Sequence, residues 1–221
     1  MRGEDEVTTE QPQRRTRAAG ERSRRRVLEK AAQLATVEGL DGLSVGRLAD
    51  ASGMPKSSVY ELFGSKEHIQ LATVDAARES FIAEVVMPAL ATSEPGLEQL
   101  LALCEGFLSY VERRIFPGGC FFVAASAEMG GRPGPVAERV AQVQQEWRDL
   151  LMSEADRASR RDELPPNTDP AQLAFELGVI LAGSNIISVL HDDHGAIDRA
   201  HVAVRTRLGI ADRISSPRRR R

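Results

Sequence analysis

An all-α fold of about nine helices is what this sequence predicts, and three observations predict it. Hydrophobic residues make up 42% of the 221 residues and aromatics only 5%, and the apolar–polar alternation that marks strands is scarce. Apolar residues recur instead at i, i+3 and i+4 over stretches long enough for helices. These stretches are punctuated by capping residues or prolines at their starts and by glycines or prolines at their ends.

In chain order, residues 1–20 are polar and basic without apolar periodicity, and read as a disordered arm. A first helix over about Glu21–Glu38 carries the stripe Val27, Leu28, Ala31, Leu34 and Ala35, and Gly39 ends it. Leu40 and Leu43 plug the same small core. Ser44 can cap a short helix holding Val45, Leu48, Ala49 and Ala51, which stops at Ser52-Gly53. Pro55 suits the first turn of the next helix, with Val59 and Leu62 inward. Ala49, four residues before Gly53, lets the two helices cross closely. Small residue, glycine turn and spaced apolar anchors together make a helix-turn-helix signature.

Ser65 then caps a long helix that reaches roughly Pro88, and Ser93-Glu94-Pro95-Gly96 leads into another over Leu97 to about Arg114. Phe116-Pro117-Gly118-Gly119 breaks the chain before a short apolar helix, Cys120–Met129. A Gly/Pro loop over 130–135 precedes an amphipathic helix from Val136 to about Ser159. Asp169-Pro170 is a cap and first position for a helix to about Leu190. After Gly195 comes a last helix with the stripe Ile197, Ala200, Val204 and Leu208; a basic tail, 213–221, closes the chain.

At Ser44, Leu48-Ala49, Ser52-Gly53, Tyr60, Phe63 and Lys66 the chain resembles the tetracycline-repressor (TetR) family of bacterial one-component regulators. Ser52 replaces the usual alanine of the pattern. Met54-Pro55 replaces Val-Ser, removing a hydroxyl that would cap the second helix of the motif. The segment Gly118–Val136 also looks like one branch of the family's C-terminal domains. The resemblance implies a DNA-binding domain over 21–66, an effector-binding and dimerisation domain over 67–212, and about nine helices.

Charge distribution agrees with a nucleic-acid reader joined to another body. Residues 12–66 hold eleven Lys/Arg against six Asp/Glu, whereas residues 67–217 hold thirteen against twenty-two, within a net charge of −3. The candidate DNA contacts are Arg24 and Arg25 from the basic run, Ser44, Lys56, Ser57 and Ser58 at helix starts, and Tyr60 and Lys66 for phosphates. A positive charge in the first turn of a helix opposes the helix dipole, so Lys66 makes better sense beside a phosphate.

Six of the ten aromatics lie between Phe107 and Trp147. Large rings with few polar groups suit a small hydrophobic effector, and the resemblance puts the family's pocket in this half. Cys104, Phe107, Phe121, Phe122 and Trp147 are the candidate lining. The penultimate helix is apolar nearly all round, which calls for a core on one side and a partner on the other. The resemblance implies a four-helix homodimer interface, with Leu177, Leu181, Gly183, Ile187, Val204 and Leu208 as candidates.

Other classes find little support. Cys104 and Cys120 lack CxxC spacing and read as buried apolar residues of a reducing compartment. The longest apolar stretch, 177–190, is interrupted by Gly, Asn and Ser and falls short of the ~18 apolar residues of a membrane span. No apolar run follows the basic N-terminal segment, so the expectation is a cytosolic chain associated with the nucleoid. His191-Asp192-Asp193-His194 is the one His/Asp cluster, at a helix end where polar residues belong anyway, so no metal or cofactor is expected. Glycine-rich phosphate loops, nucleophile elbows and HExxH motifs are absent, so the sequence supports no enzyme. The rival from another class is a helical protein–protein adaptor with a basic end.

Overall fold

The computed structural model describes residues 10–210. They form nine helices and no strand, counting as one the long helix carried through a π-helical turn. In order these are α1 (Glu10–Glu38), α2 (Val45–Ser52), α3 (Lys56–Phe63), α4 (Lys66–Phe81), α5 (Leu97–Glu112), α6 (Phe121–Met129), α7 (Pro135–Arg160), α8 (Pro170–Leu190) and α9 (Gly195–Arg207). The π turn Ile82–Val86 and the segment Met87–Thr92 extend α4.

Helices α1 to α3 and the start of α4 enclose a small core of Val27, Ala31, Leu40, Leu43, Leu48, Val59 and Ile69, all with no exposed surface. Helices α5, α6 and α8 pack around α7, α9 packs on α8 and α5, and α4 and α6 bridge the halves by touching both α1 and α7.

Several boundaries obey the local chemistry read from the sequence. Ser44 Oγ accepts the Arg47 N–H, Ser65 Oγ accepts the His68 N–H, and Asp169 Oδ1 accepts the N–H groups of Ala171 and Gln172. Gly53 takes φ 67° at the end of α2, the left-handed value a non-glycine residue rarely adopts. Pro55 precedes α3 with no side-chain cap, as the lost hydroxyl implied.

Two expectations are corrected. The arm over 1–20 is not disordered throughout: α1 begins at Glu10, and only residues 1–9 lie outside the described residues, as does the basic tail 213–221. Glu, Gln, Arg and Ala are strong helix formers, so these turns extend the helix by propensity where no apolar stripe announces it. Nor does Pro88 end the long helix. The Met87 N–H reaches back five residues to the Ile82 carbonyl, so the widened π turn has re-registered the ladder before the proline ring must pass it. The helix then runs on to Thr92.

Two helix starts are held by side chains from elsewhere in the chain. The start of α5 is held by the Gly96 N–H donating to Glu154 (3.0 Å) and the Leu97 N–H donating to Glu163 (2.9 Å), and Arg157 pairs with the buried Glu154. The turn before α6 is fixed twice. The Gly118 N–H donates to Thr36 Oγ1 on α1 (3.1 Å), and the Cys120 N–H donates to the buried Asn185 of α8 (2.7 Å).

Both cysteines are free, and burial raises both thiols, Cys104 to about 12 and Cys120 to about 11. At pH 8 neither should react with an aromatic disulfide reagent in the native protein, and both should react once guanidinium unfolds it. Fast labelling of the native protein would contradict this burial.

Gly118 lies against α1, where an added Cβ would be 2.7 Å from the Thr36 carbonyl carbon. Gly118→Ala must therefore push the loop off α1, and it should destabilise the protein by ~1–3 kcal/mol in chemical denaturation. A variant of wild-type stability would show that the two halves pack less tightly here.

Candidate DNA-binding surface and apolar cavity

The second helix of the helix-turn-helix, α3, is anchored by Val59 and Phe63 and presents its other side to solvent. Lys56 and Ser57 are exposed in its first turn, Ser58 is partly exposed, and Tyr60 is 60% exposed one turn on. Gly46 in the first turn of α2 leaves room for the Lys56 stem, which passes where a larger side chain would crowd it. These four residues share one outward surface.

The remaining basic and polar candidates divide. Arg25 is exposed on α1. Arg24 instead pins α1 to α3: its guanidinium sits 4.7 Å over the Phe63 ring and donates to the Leu62 carbonyl at 3.3 Å. Ser44 Oγ is engaged as the α2 cap. Lys66 is half-exposed, and its ammonium donates to the Asp41 carbonyl at 2.6 Å. A lysine has three donors, so this contact occupies one and positions the other two.

The turn between α1 and α2 is held by side chains of α4, of α6 and of the loop after α6. Glu128 on α6 accepts the N–H of Leu40 (2.7 Å) and of Asp41 (2.8 Å) through its two oxygens. Gly39 has φ 80°, and a Cβ there would meet the Glu128 carboxylate at 3.0 Å. Gln70 donates to the Leu40 carbonyl, and Arg132 pairs with Asp41. The Arg132 hydrogen bond holds the Asp41 carboxyl below its usual range, and the Arg47 hydrogen bond does the same for Glu38. Sequence reading missed this group, because nothing local marks a glutamate that acts eighty-eight residues away.

A cavity of about 420 Å³ lies between α4, α5, α6, α7 and α8. Phe81, Phe107, Phe122 and Trp147 line it with aliphatic Ile82, Val86, Val123, Val143 and Leu150. Phe81 is the hub of the rings, with Trp147 edge-on at 5.1 Å, Tyr110 at 5.6 Å, Phe107 at 6.2 Å and Phe122 at 6.4 Å. Three of the five candidate residues, Phe107, Phe122 and Trp147, thus face the cavity. Cys104 and Phe121 do not: both are buried in the core beside it, while Cys120, one residue from Phe121, lines it. Phe81 escaped notice because it stands alone on α4, outside the run of rings in sequence.

Helix α8 has two faces, and the candidate interface residues fall on both. Leu177 and Leu181, with Val204 and Leu208 on or just after α9, are buried within the protomer, so they belong to its core and not to an interface. An all-round apolar helix conceals which side its own chain will cover. The outer face carries Phe175, Val179, Ile186, Ile187 and Leu190, exposed by 62, 55, 51, 45 and 72%. Gly183 has open space in front of it. By length and hydropathy α8 could cross a membrane, contrary to the reading of its interrupted sequence. Its inner face nevertheless packs on α7 and α9 and holds Ser184, Asn185 and Ser188 buried.

His191 and His194 flank the turn from α8 to α9, and among the described residues no group of three or more His, Cys, Asp or Glu gathers to hold a metal.

Comparison with known proteins bears on the same two regions. Residues 27–73 match the model described as bacterial regulatory proteins of the tetR family, and residues 96–204 match the tetracyclin repressor-like C-terminal domain. An uncharacterized HTH-type transcriptional regulator of Mycobacterium tuberculosis strain H37Rv is 29% identical over 197 residues, 84% of this chain and 93% of that protein. A TetR transcriptional regulator from Chloroflexus aurantiacus superposes with a TM-score of 0.78 at 27% identity, over 86% of this chain and 95% of that one. AibR, solved in complex with isovaleryl coenzyme A and operator DNA, shares the fold with a TM-score of 0.67 at 20% identity, over 84% and 98%. With both halves matched in the order the helices place them, the chain belongs to the TetR family and is a DNA-binding transcriptional regulator without enzymatic activity.

Proposed function

We propose that this regulator is a homodimeric repressor that leaves a palindromic operator when a small hydrophobic effector fills the cavity. The observation that carries the reading is continuity. Helix α4 starts at the end of the helix-turn-helix, at Lys66, and its π turn supplies Ile82 and Val86 to the cavity wall. One element therefore meets both sites, and a ligand favouring another tilt of α4 would shift the DNA-binding helices by its differential affinity for the two states. AibR, of the same fold, has been solved with isovaleryl coenzyme A and operator DNA together, which supports a small-molecule site and a DNA site in one such protein.

In this reading Lys56, Ser57 and Ser58 meet base edges or their flanking phosphates, and Tyr60 and Lys66 hold the backbone. Arg25 faces the same partner from α1, while Arg24 and Ser44 support the surface from behind. Two such helices would enter successive major grooves, ~34–36 Å apart or somewhat more. Acting on DNA, the protein would work in the cytoplasm beside the nucleoid.

The dimer reading rests on the inversion of α8. Its buried side carries Ser184, Asn185 and Ser188 while its outer side carries Ile186, Ile187 and Leu190. A contiguous apolar patch of this kind marks an interaction surface, and a twofold axis lets one face serve both subunits.

Selection of bound fragments from random duplexes tests the DNA reading. A palindromic consensus is expected, and Ser57→Ala or Lys56→Ala should relax it at particular positions, by ~1–3 kcal/mol for each base edge that the variant no longer reads. Lys66→Ala should weaken all duplexes about equally and lower the salt slope by roughly one ion. Recovery of a consensus without twofold symmetry would overturn the palindromic-operator reading. For the dimer, Ile186→Glu places a charge on the outer face without touching the core, so sedimentation should show folded monomers. An undisturbed dimer would take this face out of the interface.

A further inference from the structure

The charges at the cavity mouth narrow the chemistry of what enters. Three charged residues line it: Arg78, Glu146 and Arg148. Glu146 is already committed, with Arg78 Nε at 2.6 Å from one oxygen and Arg139 at 3.8 Å from the other. Arg148 is exposed, and among the described residues its hydrogen bond goes to the neutral Gln145 side chain at 2.6 Å. The neighbouring Asp149 is engaged by the same Gln145 amide, not by Arg148. The mouth thus keeps one guanidinium whose charge nothing on the lining balances. Deeper in, polarity falls away. Phe81, Phe107 and Phe122 are nearly fully buried, and the Gln144 amide is used by the Phe122 carbonyl and Ser126 Oγ.

An apolar chamber behind an uncompensated arginine is the complement of an amphiphile with an anionic head. We propose that the ligand is a hydrophobic monocarboxylate, of medium-chain acyl or aryl type. Its carboxylate pairs with Arg148 at the mouth while its tail lies among Phe107, Phe122 and Trp147. This rests on the effector reading above and specifies the ligand class. A cationic amphiphile fits worse because the charged residues on the lining, Arg78, Arg148 and Glu146, sum to a net positive charge.

Trp147 is the only tryptophan of the chain and lines the cavity, so its fluorescence reports binding at this site. Titrations with octanoate, octanol and octyltrimethylammonium separate head-group charge at constant tail. Octanoate should bind ~three- to tenfold more tightly than octanol, the size of a partly exposed charge-assisted contact, and octyltrimethylammonium least tightly. Arg148→Gln should remove the preference for octanoate without altering octanol binding, and Arg148→Glu should reverse the order of the two ions. Octanol binding as well as octanoate, or an order unchanged in Arg148→Glu, would overturn the carboxylate assignment and leave the pocket standing. No response of Trp147 to any of the three would overturn the pocket reading itself.

Discussion

The joint between the halves depends on one carboxylate. Glu128 lies near the end of α6, and its two oxygens take the N–H groups of Leu40 and Asp41 in the turn that launches the helix-turn-helix. Those N–H groups follow α1 and find no helical partner, so an anion is what the turn requires. The fit admits little else: Gly39 must be glycine both for its φ of 80° and for the carboxylate 3.0 Å from where a Cβ would stand. Arg132, Lys66 and Gln70 then close around Asp41 and Leu40 from the other sides. The helix-turn-helix is thereby oriented by the C-terminal body as well as by its own core.

That constraint would make α6 a second lever beside α4 in the proposed switch. Phe122 and Val123 line the cavity from one end of α6, and Glu128 holds the DNA-binding turn less than two helical turns away. A rigid helix nine residues long that fills a cavity wall at one end and a hydrogen-bonded turn at the other moves as a unit. Helix α4 differs, because its π turn falls where it meets the cavity. In the proposed switch, a local widening of the ladder there would let α4 bend at smaller cost than an unbroken helix would incur. Coupling between sites needs an element with two arrangements, and these two helices are the candidates by position.

What the sequence discloses depends on whether the deciding interaction is local. The caps at Ser44, Ser65 and Asp169 and the glycine stop at Gly53 are local, and the structure has them where the spacing puts them. So is the α3 surface, because Val59 and Phe63 fix which side is left over. Pro88 misleads because a proline reads as a stop unless the turn before it has already widened, and no sequence rule anticipates that π turn. The Arg24 contact with Phe63 and the Glu128 clamp are long-range, so a basic run reads as DNA contact and a glutamate reads as surface. The aromatic cluster was half legible: the run Phe107–Trp147 marks the region, but Phe81, its hub, comes from another helix. Periodicity tells inside from outside only when the two differ in polarity.

In α8 they differ in the opposite sense to the usual one. In its second half Ser184, Asn185 and Ser188 face the chain's own core beyond Leu181, and the side chains of Ser184 and Asn185 serve there as hydrogen-bonding groups. Asn185 Oδ1 fixes the Cys120 N–H at the start of α6, Ser184 bonds back to the Leu181 carbonyl, and the Ser188 carbonyl accepts from Arg114. Large aliphatic side chains would leave that N–H unpaired and collide with the turn at Gly119, where a Cβ would already meet Val189 at 2.7 Å. The inner face is therefore apolar from Leu173 to Leu181 and polar beyond it, where Asn185 anchors α6, and the large hydrophobic residues of that second half stand outside. Five large apolar side chains on one exposed face are an unfavourable arrangement for an isolated protomer and a favourable one for a pair. Phe175 and Val179 belong at once to that face and to the cavity wall, so a subunit seated on α8 would also cover the side of the cavity nearest to it. In the proposed dimer, the same helix that anchors α6 would thus tie the shape of the cavity to the presence of the partner.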